Sequence, residues 1–296
     1  MKKYFLFALL AMFIVGCDGG GSNNDGIGVF SVSADKQVTF SKGNLQYTQS
    51  TNTWSFASAQ YEVIGTDNVI GGSVSSEEYG DDKYGTALAD KIDLFGWSTG
   101  ATNFGVSTSK DNDDYYGSFV DWGTNKIGND ASNTWRTLTH NEWEYLLNNR
   151  PNASSLKGIA QVNGVNGLVF LPDSWICPSG VTFKSGFYNN YSVYDDDDDD
   201  YNYYDDYYSV YNYADYQRFT AKQWSKLEAA GAVFLPASGY RYGSVMNYVQ
   251  FYGYYWFATE FNSSRAYFFS FNSVEADMGD FNRHNGYSVR LVKDLQ

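Results

Sequence analysis

The sequence predicts a fold of the α+β class that is rich in β-structure, with two short helices and long loops. Short alternating runs broken by Gly and Asn fill residues 29–64 and are typical of meandering strands. Residues 65–134 are rich in Gly, Asp and Ser with isolated aromatic side chains, which indicates long ordered loops. Two helix-start patterns follow, and each precedes a similar apolar strand. A chain that is mostly β-structure with two helices favours the α+β class.

The first helix is indicated by a capping box, in which Thr139 and Glu142 satisfy the free N–H groups at a helix start. Trp143, Leu146 and Leu147 follow at helical spacing. These three side chains are therefore expected to form one apolar face.

The second helix has the same design. Thr220 and Gln223 form another capping-box pattern, and Trp224 and Leu227 follow it as the apolar face. Gly231 is placed to end the helix, since glycine adopts the left-handed conformation common after a helix C-terminus.

A similar strand is predicted after each helix. The segment 167–172 has the sequence Gly-Leu-Val-Phe-Leu-Pro, and the segment 231–236 has Gly-Ala-Val-Phe-Leu-Pro. Two copies are too few and too unequally spaced for a solenoid. We therefore expect pseudo-repeated packing within one domain.

The N-terminus has the features of an export signal. Lys2 and Lys3 precede an apolar stretch, residues 4–15, that is too short to span a bilayer as a stable helix. The stretch ends in Ile-Val-Gly-Cys17, which resembles a bacterial lipobox. The resemblance implies cleavage before Cys17 and acylation of its thiol and amine, and two or three acyl chains anchor a protein stably.

The predicted organisation follows from this signal. Residues 1–16 are a lipoprotein signal peptide and residues 17–28 a flexible tether, too polar and Gly-rich to pack. Residues 29–296 form a single domain. The second cysteine, Cys177, then has no partner for an intramolecular disulfide or a cysteine-based metal cluster. Its expected role is that of a buried small hydrophobic residue.

The chain has a formal net charge of −14, and nine of its acids lie in one stretch without a basic residue. An acidic chain of this kind argues against binding to nucleic acid or electrostatic docking on anionic lipid. Six adjacent carboxylates repel one another, so residues 187–218 are expected to form a solvated loop. Both replication slippage and adenine-directed mutagenesis produce its Tyr/Asp/Asn composition. We favour a loop expanded by slippage over an interaction loop.

Several motifs occur in a fixed order along the chain. They are Trp135 to Leu146, Gly167 to Trp175, Ala229 to Ala237, Gly239-Tyr240-Arg241, Gly253 to Trp256 and Ser288-Val289-Arg290. Together they resemble bacterial lipoproteins with a C-type-lectin-like fold, which are found in gut-type Bacteroidetes and often described as "major paralogous domain" proteins. The same fold carries the variable proteins of diversity-generating retroelements and the formylglycine-generating enzymes. One fold hosts many functions, so the resemblance is specific for fold more than for function.

The resemblance implies a lipid-anchored protein of the outer membrane or cell surface. Its expected function is non-catalytic binding of a carbohydrate or protein ligand, as in a diversified receptor or adhesin. A structural or adhesive envelope protein without a discrete ligand site is the alternative, and an enzyme of the formylglycine-generating type comes third. The membrane, through the lipid anchor, and an unidentified ligand are the expected partners.

The residues do not favour catalysis. The formylglycine-generating enzymes use a pair of cysteines, which this chain lacks near its C-terminus. His140, at a helix start, and His284, in a Tyr/Asn loop, are interpreted as polar surface residues rather than general bases. We therefore expect no enzymatic activity.

No cofactor or metal is expected either. The acids Glu142, Glu144 and Glu228 lie in predicted caps or on helix surfaces, which gives no support to a carboxylate pair. The run 111–114 (Asp-Asn-Asp-Asp) lacks the spacing and glycine of an EF-hand loop. The Pro-containing loop of calcium-dependent lectins is also missing.

The C-terminal region has the composition of a recognition surface, because irregular Tyr, Asn and Ser loops lie between apolar, Gly-punctuated anchors. Trp256, Val289 and Leu291 are expected to point inward, while Gly239, Gly253 and Gly286 serve as turn or close-approach positions. The alternative is that half of the aromatic residues, Tyr254 and Tyr287 among them, merely fill the frame. The candidate ligand-binding residues, expected to share an exposed patch, are Arg241, Tyr242, Asn247, Tyr248, Tyr252, Tyr254, Phe257, Asn282, Arg283, His284 and Tyr287.

Substitution of the lipobox cysteine tests the anchor. Cys17→Ser should abolish metabolic labelling with palmitate and release soluble protein or leave uncleaved precursor, because the acylated thiol is gone. Cys177→Ser is the control and should be labelled normally. Unchanged labelling of Cys17→Ser would exclude the lipoprotein assignment.

Overall fold

The structure, a computed structural model, describes residues 28–65, 75–76, 90–98, 109–188 and 212–295. The predicted signal peptide, the acylated Cys17, the tether up to residue 27 and the acidic run 195–206 lie outside the described residues. In the described part, no helix has the length and apolar character needed to cross a membrane.

Short strands dominate the described part of the chain. In chain order they are β1 Phe30–Ser31, β2 Gln37–Phe40, β3 Leu45–Thr48, β4 Thr53–Phe56, β5 Ser75–Ser76, β6 Lys91–Ile92, β7 Leu94–Phe95, β8 Lys157–Val162, β9 Val165–Phe170, β10 Arg218–Phe219, β11 Val233–Pro236, β12 Tyr240–Tyr242, β13 Val245–Asn247, β14 Gly253–Glu260, β15 Arg265–Phe271, β16 Ala276–Asn282, β17 Tyr287–Ser288 and β18 Val292–Asp294. The helices are α1 His140–Glu144, continued by a π-helical turn Tyr145–Asn149, α2 Tyr213–Tyr216 and α3 Ala221–Ala229, with short 3₁₀ turns at Asn112–Tyr115, Trp122–Thr124 and Ala153–Ser155. This β-rich architecture, with a few short helices and several small sheets, agrees with the predicted α+β class.

A five-stranded sheet has the order β16-β15-β14-β17-β7. Its central strand β14 is covered by core on both faces, whereas the edge strand β16 is only partly buried. Successive side chains of a strand point to opposite faces. Phe257 of β14 and Phe269 of β15 therefore enter a central core. Their neighbours Trp256 and Phe268 belong to a second core, or pack against it, on the other face.

A four-stranded sheet in the order β10-β8-β9-β11 closes the other side of the central core. Leu168 and Leu235 point into the central core. Val169 and Phe234 point into a third core that also holds Trp224 of α3. The two similar predicted strands are antiparallel neighbours here, with Phe234 opposite Val169 and Leu235 opposite Leu168. The pseudo-repeat is thus a pair of strands within one sheet.

Both predicted capping boxes are formed. Thr139 accepts a hydrogen bond from the Glu142 N–H while the Glu142 side chain accepts from the Thr139 N–H, and Thr220 and Gln223 do the same for α3. The predicted apolar faces are buried, with Trp143 in the central core and Trp224 in the third core.

Gly231 ends α3 as predicted. Its φ of +91° is the left-handed conformation, its N–H bonds the Glu228 carbonyl at 2.8 Å, and the next N–H bonds the Leu227 carbonyl at 3.0 Å. This pair of bonds is a Schellman motif. A Cβ on Gly28 would lie 2.3 Å from the Gly231 carbonyl oxygen. The last residue of the predicted tether thus packs directly on this helix end, so the predicted boundary at residue 28 is wrong.

Strands from the two ends of the domain share one small sheet. Its order is β1-β2-β18, with Val292 opposite Phe40 and Asp294 opposite Val38. The backbone of Arg136 adds two bonds to Val292, at 2.9 and 2.8 Å. The last strand therefore holds the first strands and the segment before α1 together.

The predicted burial of Cys177 is wrong. Its side chain is exposed, with a weak sulfur contact of 3.6 Å to the Val181 carbonyl. The chain leaves β9 and runs over the surface after Pro172, so apolar residues of this turn, such as Ile176, also face solvent.

The predicted boundaries of the acidic loop are wrong at both ends. Tyr213 is 2 % exposed and lies in the central core. Its hydroxyl donates a hydrogen bond of 2.8 Å to the Phe251 carbonyl, as a buried tyrosine requires. Phe187, Tyr188 and Tyr216 pack against the same core. The aromatic flanks of the acidic run thus belong to the folded domain.

Two replacements by a short Gly/Ser linker test this boundary. Replacing residues 194–211 should leave the melting temperature nearly unchanged, because loop length adds little closure entropy. Replacing residues 194–216 should destabilise the domain by about 3–5 kcal/mol, since it also removes the buried ring of Tyr213. Urea denaturation measures the difference, and Tyr213→Ala in the full chain should show a similar loss. Equal stability of the two replacements would contradict the packing of Tyr213.

Candidate functional site

Four half-buried tyrosines meet beside the second core. This tyrosine cluster consists of Tyr240, Tyr248, Tyr252 and Tyr254. Tyr252 stacks on Tyr254 with ring centroids 5.8 Å apart and an interplanar angle of 17°. Tyr248 lies 5.2 Å from Tyr252, and Tyr240 lies 5.3 Å from Tyr254 in an edge-on arrangement. The four rings form one continuous aromatic surface that is partly open to solvent.

Aromatic rings that belong to the second core, or pack against it, support this surface from behind. Tyr287 stacks on Tyr254 at 5.1 Å and lies 4.3 Å from Trp256. Phe268 contacts Tyr254 at 5.9 Å and Tyr287 at 5.1 Å. The indole N–H of Trp256 donates to the Phe95 carbonyl at 2.7 Å. The cluster is therefore attached to the second core and to two strands of the five-stranded sheet.

The loop that carries Tyr248 has an unusual backbone. Tyr248 has a φ of +56° and Gln250 a φ of +70°, in the left-handed region that side chains other than Asn and Asp seldom adopt. Gln250 is fixed by three bonds: its N–H donates to the Ala237 carbonyl at 2.7 Å, while its two oxygens accept from Asn166 at 2.7 and 2.9 Å. The surrounding structure thus determines the position of this loop.

The predicted glycines allow this close packing. A Cβ on Gly239, which has a φ of +67°, would lie 2.2 Å from the Asn247 carbonyl oxygen. A Cβ on Gly253 would lie 2.2 Å from the Phe271 ring, and one on Gly286 would lie 2.9 Å from the Arg241 Cβ. All three are close-approach positions, as predicted. The inward orientation of Trp256, Val289 and Leu291 is likewise confirmed.

Burial disfavours the charged form of two stacked tyrosines, Tyr254 of the cluster and Tyr287 behind it. Burial raises the pKa of Tyr254 well above that of a free tyrosine, and the neighbouring Tyr287 and Tyr252 raise it further. Burial also raises the pKa of Tyr287, although its hydrogen bond from Asn285 opposes the shift. Their hydroxyls are neutral at physiological pH. Such a phenol can both donate and accept a hydrogen bond, and its ring offers an apolar face.

Six of the eleven predicted binding residues are at least partly exposed. Tyr248, Tyr252 and Tyr254 belong to the cluster, whereas Asn247 and Asn282 are half-buried outside it. Tyr242 is 39 % exposed, but its ring lies 5.5 Å from His284 and 4.1 Å from the Lys110 ammonium.

The predicted exposure is wrong for the remaining five, which are buried: Arg241, Phe257, Arg283, His284 and Tyr287. Phe257 shows why. The sequence predicts an outward Phe257 next to an inward Trp256, an alternation that holds for a sheet with one solvated face. The strand β14 is covered by core on both faces, so Phe257 enters the central core, 5.9 Å from Trp143.

Arg241 is buried and holds neighbouring backbone segments together. Its backbone exchanges bonds of 2.9 and 2.8 Å with Gly286, and its guanidinium donates to the Gly243 carbonyl at 3.0 Å. Burial lowers the pKa of this guanidinium, and Tyr115 opposes the shift. The arginine joins β12 to the segment before β17 rather than facing a ligand.

Both histidines are less exposed than predicted. His284 is 5 % exposed. Burial lowers its pKa, Asp111 opposes the shift and Lys110 adds to it, so the ring is neutral at physiological pH. His140 is half-buried, with its ring 4.5 Å from Tyr267 and 5.7 Å from Phe257. The predicted surface position is therefore wrong for His284, whereas the half-buried His140 still reaches the surface.

Two residues of this surface were missed from the sequence, Tyr240 and Phe268. Tyr240 lies two residues before Tyr242 on one strand and opposite Asn247, so strand alternation would have placed it near the predicted patch. Phe268 lies opposite Trp256 in the neighbouring strand, a pairing that depends on register. Among the residues that the structure describes, no three His, Cys, Asp or Glu side chains are placed to hold a metal ion.

Residues 220–292 match a protein family described as Domain of unknown function (DUF8237). The match runs from the N-cap of α3 to the first residue of β18 and includes the whole tyrosine cluster. No curated protein matches the chain. No solved structure matches it either.

A glycine substitution tests the frame of the cluster. Gly239→Ala should destabilise the domain by about 2–5 kcal/mol, because it combines left-handed strain with a clash against backbone. Gly128→Ala is the matched control: its φ is +58°, but nothing lies within 4 Å of an added Cβ. It should cost only the strain, about 1–2 kcal/mol. Urea denaturation of both variants measures the difference, and equal losses would contradict the close approach at Gly239.

Proposed function

We propose that this chain is a lipid-anchored protein of the outer membrane or cell surface whose single C-type-lectin-like domain presents a non-catalytic ligand-binding face. The tyrosine cluster lies at the centre of that face. The anchor is supported by the lipobox-like sequence before Cys17. The fold assignment is supported by the ordered sequence motifs and by a β-rich domain with capped helices.

The observation that carries the proposal is the partly open stack of four tyrosines on a rigid rear wall. Rings that are already fixed lose little conformational entropy when a ligand binds. Their faces suit a sugar ring or an apolar side chain, and their neutral hydroxyls supply directional hydrogen bonds. The ligand is therefore a carbohydrate or a protein surface.

A double substitution tests this face. Tyr248→Ala combined with Tyr252→Ala should weaken ligand binding at least about tenfold, since central aromatic residues dominate most binding energies. Tyr242 is not substituted because its ring contacts His284 and Lys110 instead of the tyrosine cluster. Binding is measured with full-length protein in detergent on arrays of glycans and of extracellular proteins.

The matched control is Tyr145→Ala. Tyr145 is also half-buried, but it follows α1, which covers the opposite face of the five-stranded sheet. It should bind like the unmodified protein. Normal binding by a folded double variant would place the recognition face elsewhere. Failure of the unmodified protein to bind any probe would favour a structural envelope protein.

A further inference from the structure

A separate cleft of about 610 Å³ lies where β14 turns into β15. This hairpin cleft is formed by two segments that are distant in sequence and by one buried arginine. Its lining residues are Tyr116, Gly117, Ser118, Glu260, Asn262, Ser263 and Arg283. Ligand pockets for small molecules span roughly 300–1,000 Å³, so the hairpin cleft has room for one or two sugar units.

Arg283 fixes the two walls of the hairpin cleft. Its guanidinium lies 4.3 Å from the centroid of the Trp97 ring and is almost fully buried. It donates to the Gly117 carbonyl at 3.1 Å on one wall. It also donates to the Asn262 carbonyl and, at 3.0 Å, to Glu260 Oε2 on the other wall. These bonds hold the two walls in place without a ligand. Because Arg283 and Glu260 form an ion pair, the cleft carries little net charge.

Two side chains of the hairpin wall, Glu260 and Asn262, are held by hydrogen bonds and each keeps one polar atom available to a ligand. Glu260 has a side chain 62 % exposed, and its Oε1 has no hydrogen-bond partner among the described residues. Asn262 accepts three bonds through Oδ1, from the Ser264 N–H at 2.9 Å, the Ser264 hydroxyl at 3.1 Å and the Arg265 N–H at 2.9 Å. These bonds fix its amide, and its Nδ2 has no partner in the described part of the chain. The wall therefore offers one oriented acceptor beside one oriented donor.

The opposite wall adds a hydroxyl and an aromatic ring. Within the described residues, the hydroxyl of Ser118 on this wall has no hydrogen-bond partner, and neither has that of Ser263 on the hairpin wall. Tyr116 is 54 % exposed, and its ring contacts no other aromatic ring of the described residues. A ring open on its face is the usual contact for the apolar side of a sugar.

We infer that the hairpin cleft is a carbohydrate site distinct from the tyrosine cluster. A carboxylate oxygen next to an amide N–H₂ matches the paired donor and acceptor of a vicinal diol. Because Glu260 is neutralised by Arg283, the cleft favours an uncharged ligand over an anion or a cation. The ligand class is a neutral sugar residue, with its hydroxyls on Glu260 and Asn262 and its apolar face on Tyr116.

The test uses full-length protein in detergent and a panel of methyl glycosides of glucose, galactose, mannose, fucose and xylose, titrated by ligand-observed NMR. At least one should bind saturably. Tyr116→Ala should weaken that binding at least about fivefold, whereas Tyr116→Phe should retain it because the ring is kept. Ser263→Trp should abolish it by filling the cleft. If Ser263→Trp does not fold, Ser118→Trp fills the cleft from the other wall.

The double variant of Tyr248 and Tyr252 separates this site from the proposed ligand face. It should bind the glycoside normally, because it leaves the hairpin cleft intact. The inference is overturned if no glycoside binds, if the cleft variants bind normally, or if the double variant abolishes binding. The last outcome would assign the sugar to the tyrosine cluster and leave the proposed function standing.

Discussion

Arg290 carries its guanidinium into the interior, where it donates to the side-chain oxygens of Gln60 at 2.7 Å and Asn44 at 3.4 Å. Burial lowers its pKa to about 10, although Tyr255 and Glu228 oppose the shift. Gln60 in turn donates to Glu228 at 3.0 Å. A buried cation without its hydrogen-bond partners is strongly destabilising. The segments that supply these partners must therefore be in place together, which links the N-terminal strands, the end of α3 and the last strands.

The same network reaches the candidate site. Asn44 donates to the Tyr255 hydroxyl at 3.2 Å, and that hydroxyl donates to the Pro236 carbonyl at 2.9 Å. Tyr255 lies between Tyr254 and Trp256 on β14, so the strand that contributes Tyr254 to the tyrosine cluster is fixed from its opposite face. Rigid aromatic rings at the surface thus depend on a buried charge and a chain of amide and hydroxyl groups.

Local patterns were sufficient to predict much of the fold. The capping boxes at Thr139 and Thr220 and the glycine after α3 depend on neighbouring residues, and all are formed. The burial of Arg241 and Arg283 could not be predicted in this way. Arg283 is held by Gly117, a residue distant in the chain, and nothing near it in sequence indicates that partner. The composition of the C-terminal region predicts a tyrosine-rich surface. Which tyrosine rings contact one another depends on the strand register and on the cover over both faces of β14, and neither can be read from composition.

The sheet that joins β2 to β18 has a consequence for the order in which the molecule can be completed. A chain emerges N-terminus first during synthesis or export, and domains generally fold as units. Here β2 lacks one neighbour until Val292 and the residues beside it have emerged. The buried Arg290 arrives at the same late stage. Completion of this sheet and of the hydrogen bonds around Arg290 must therefore wait until the segment around Val292 has emerged.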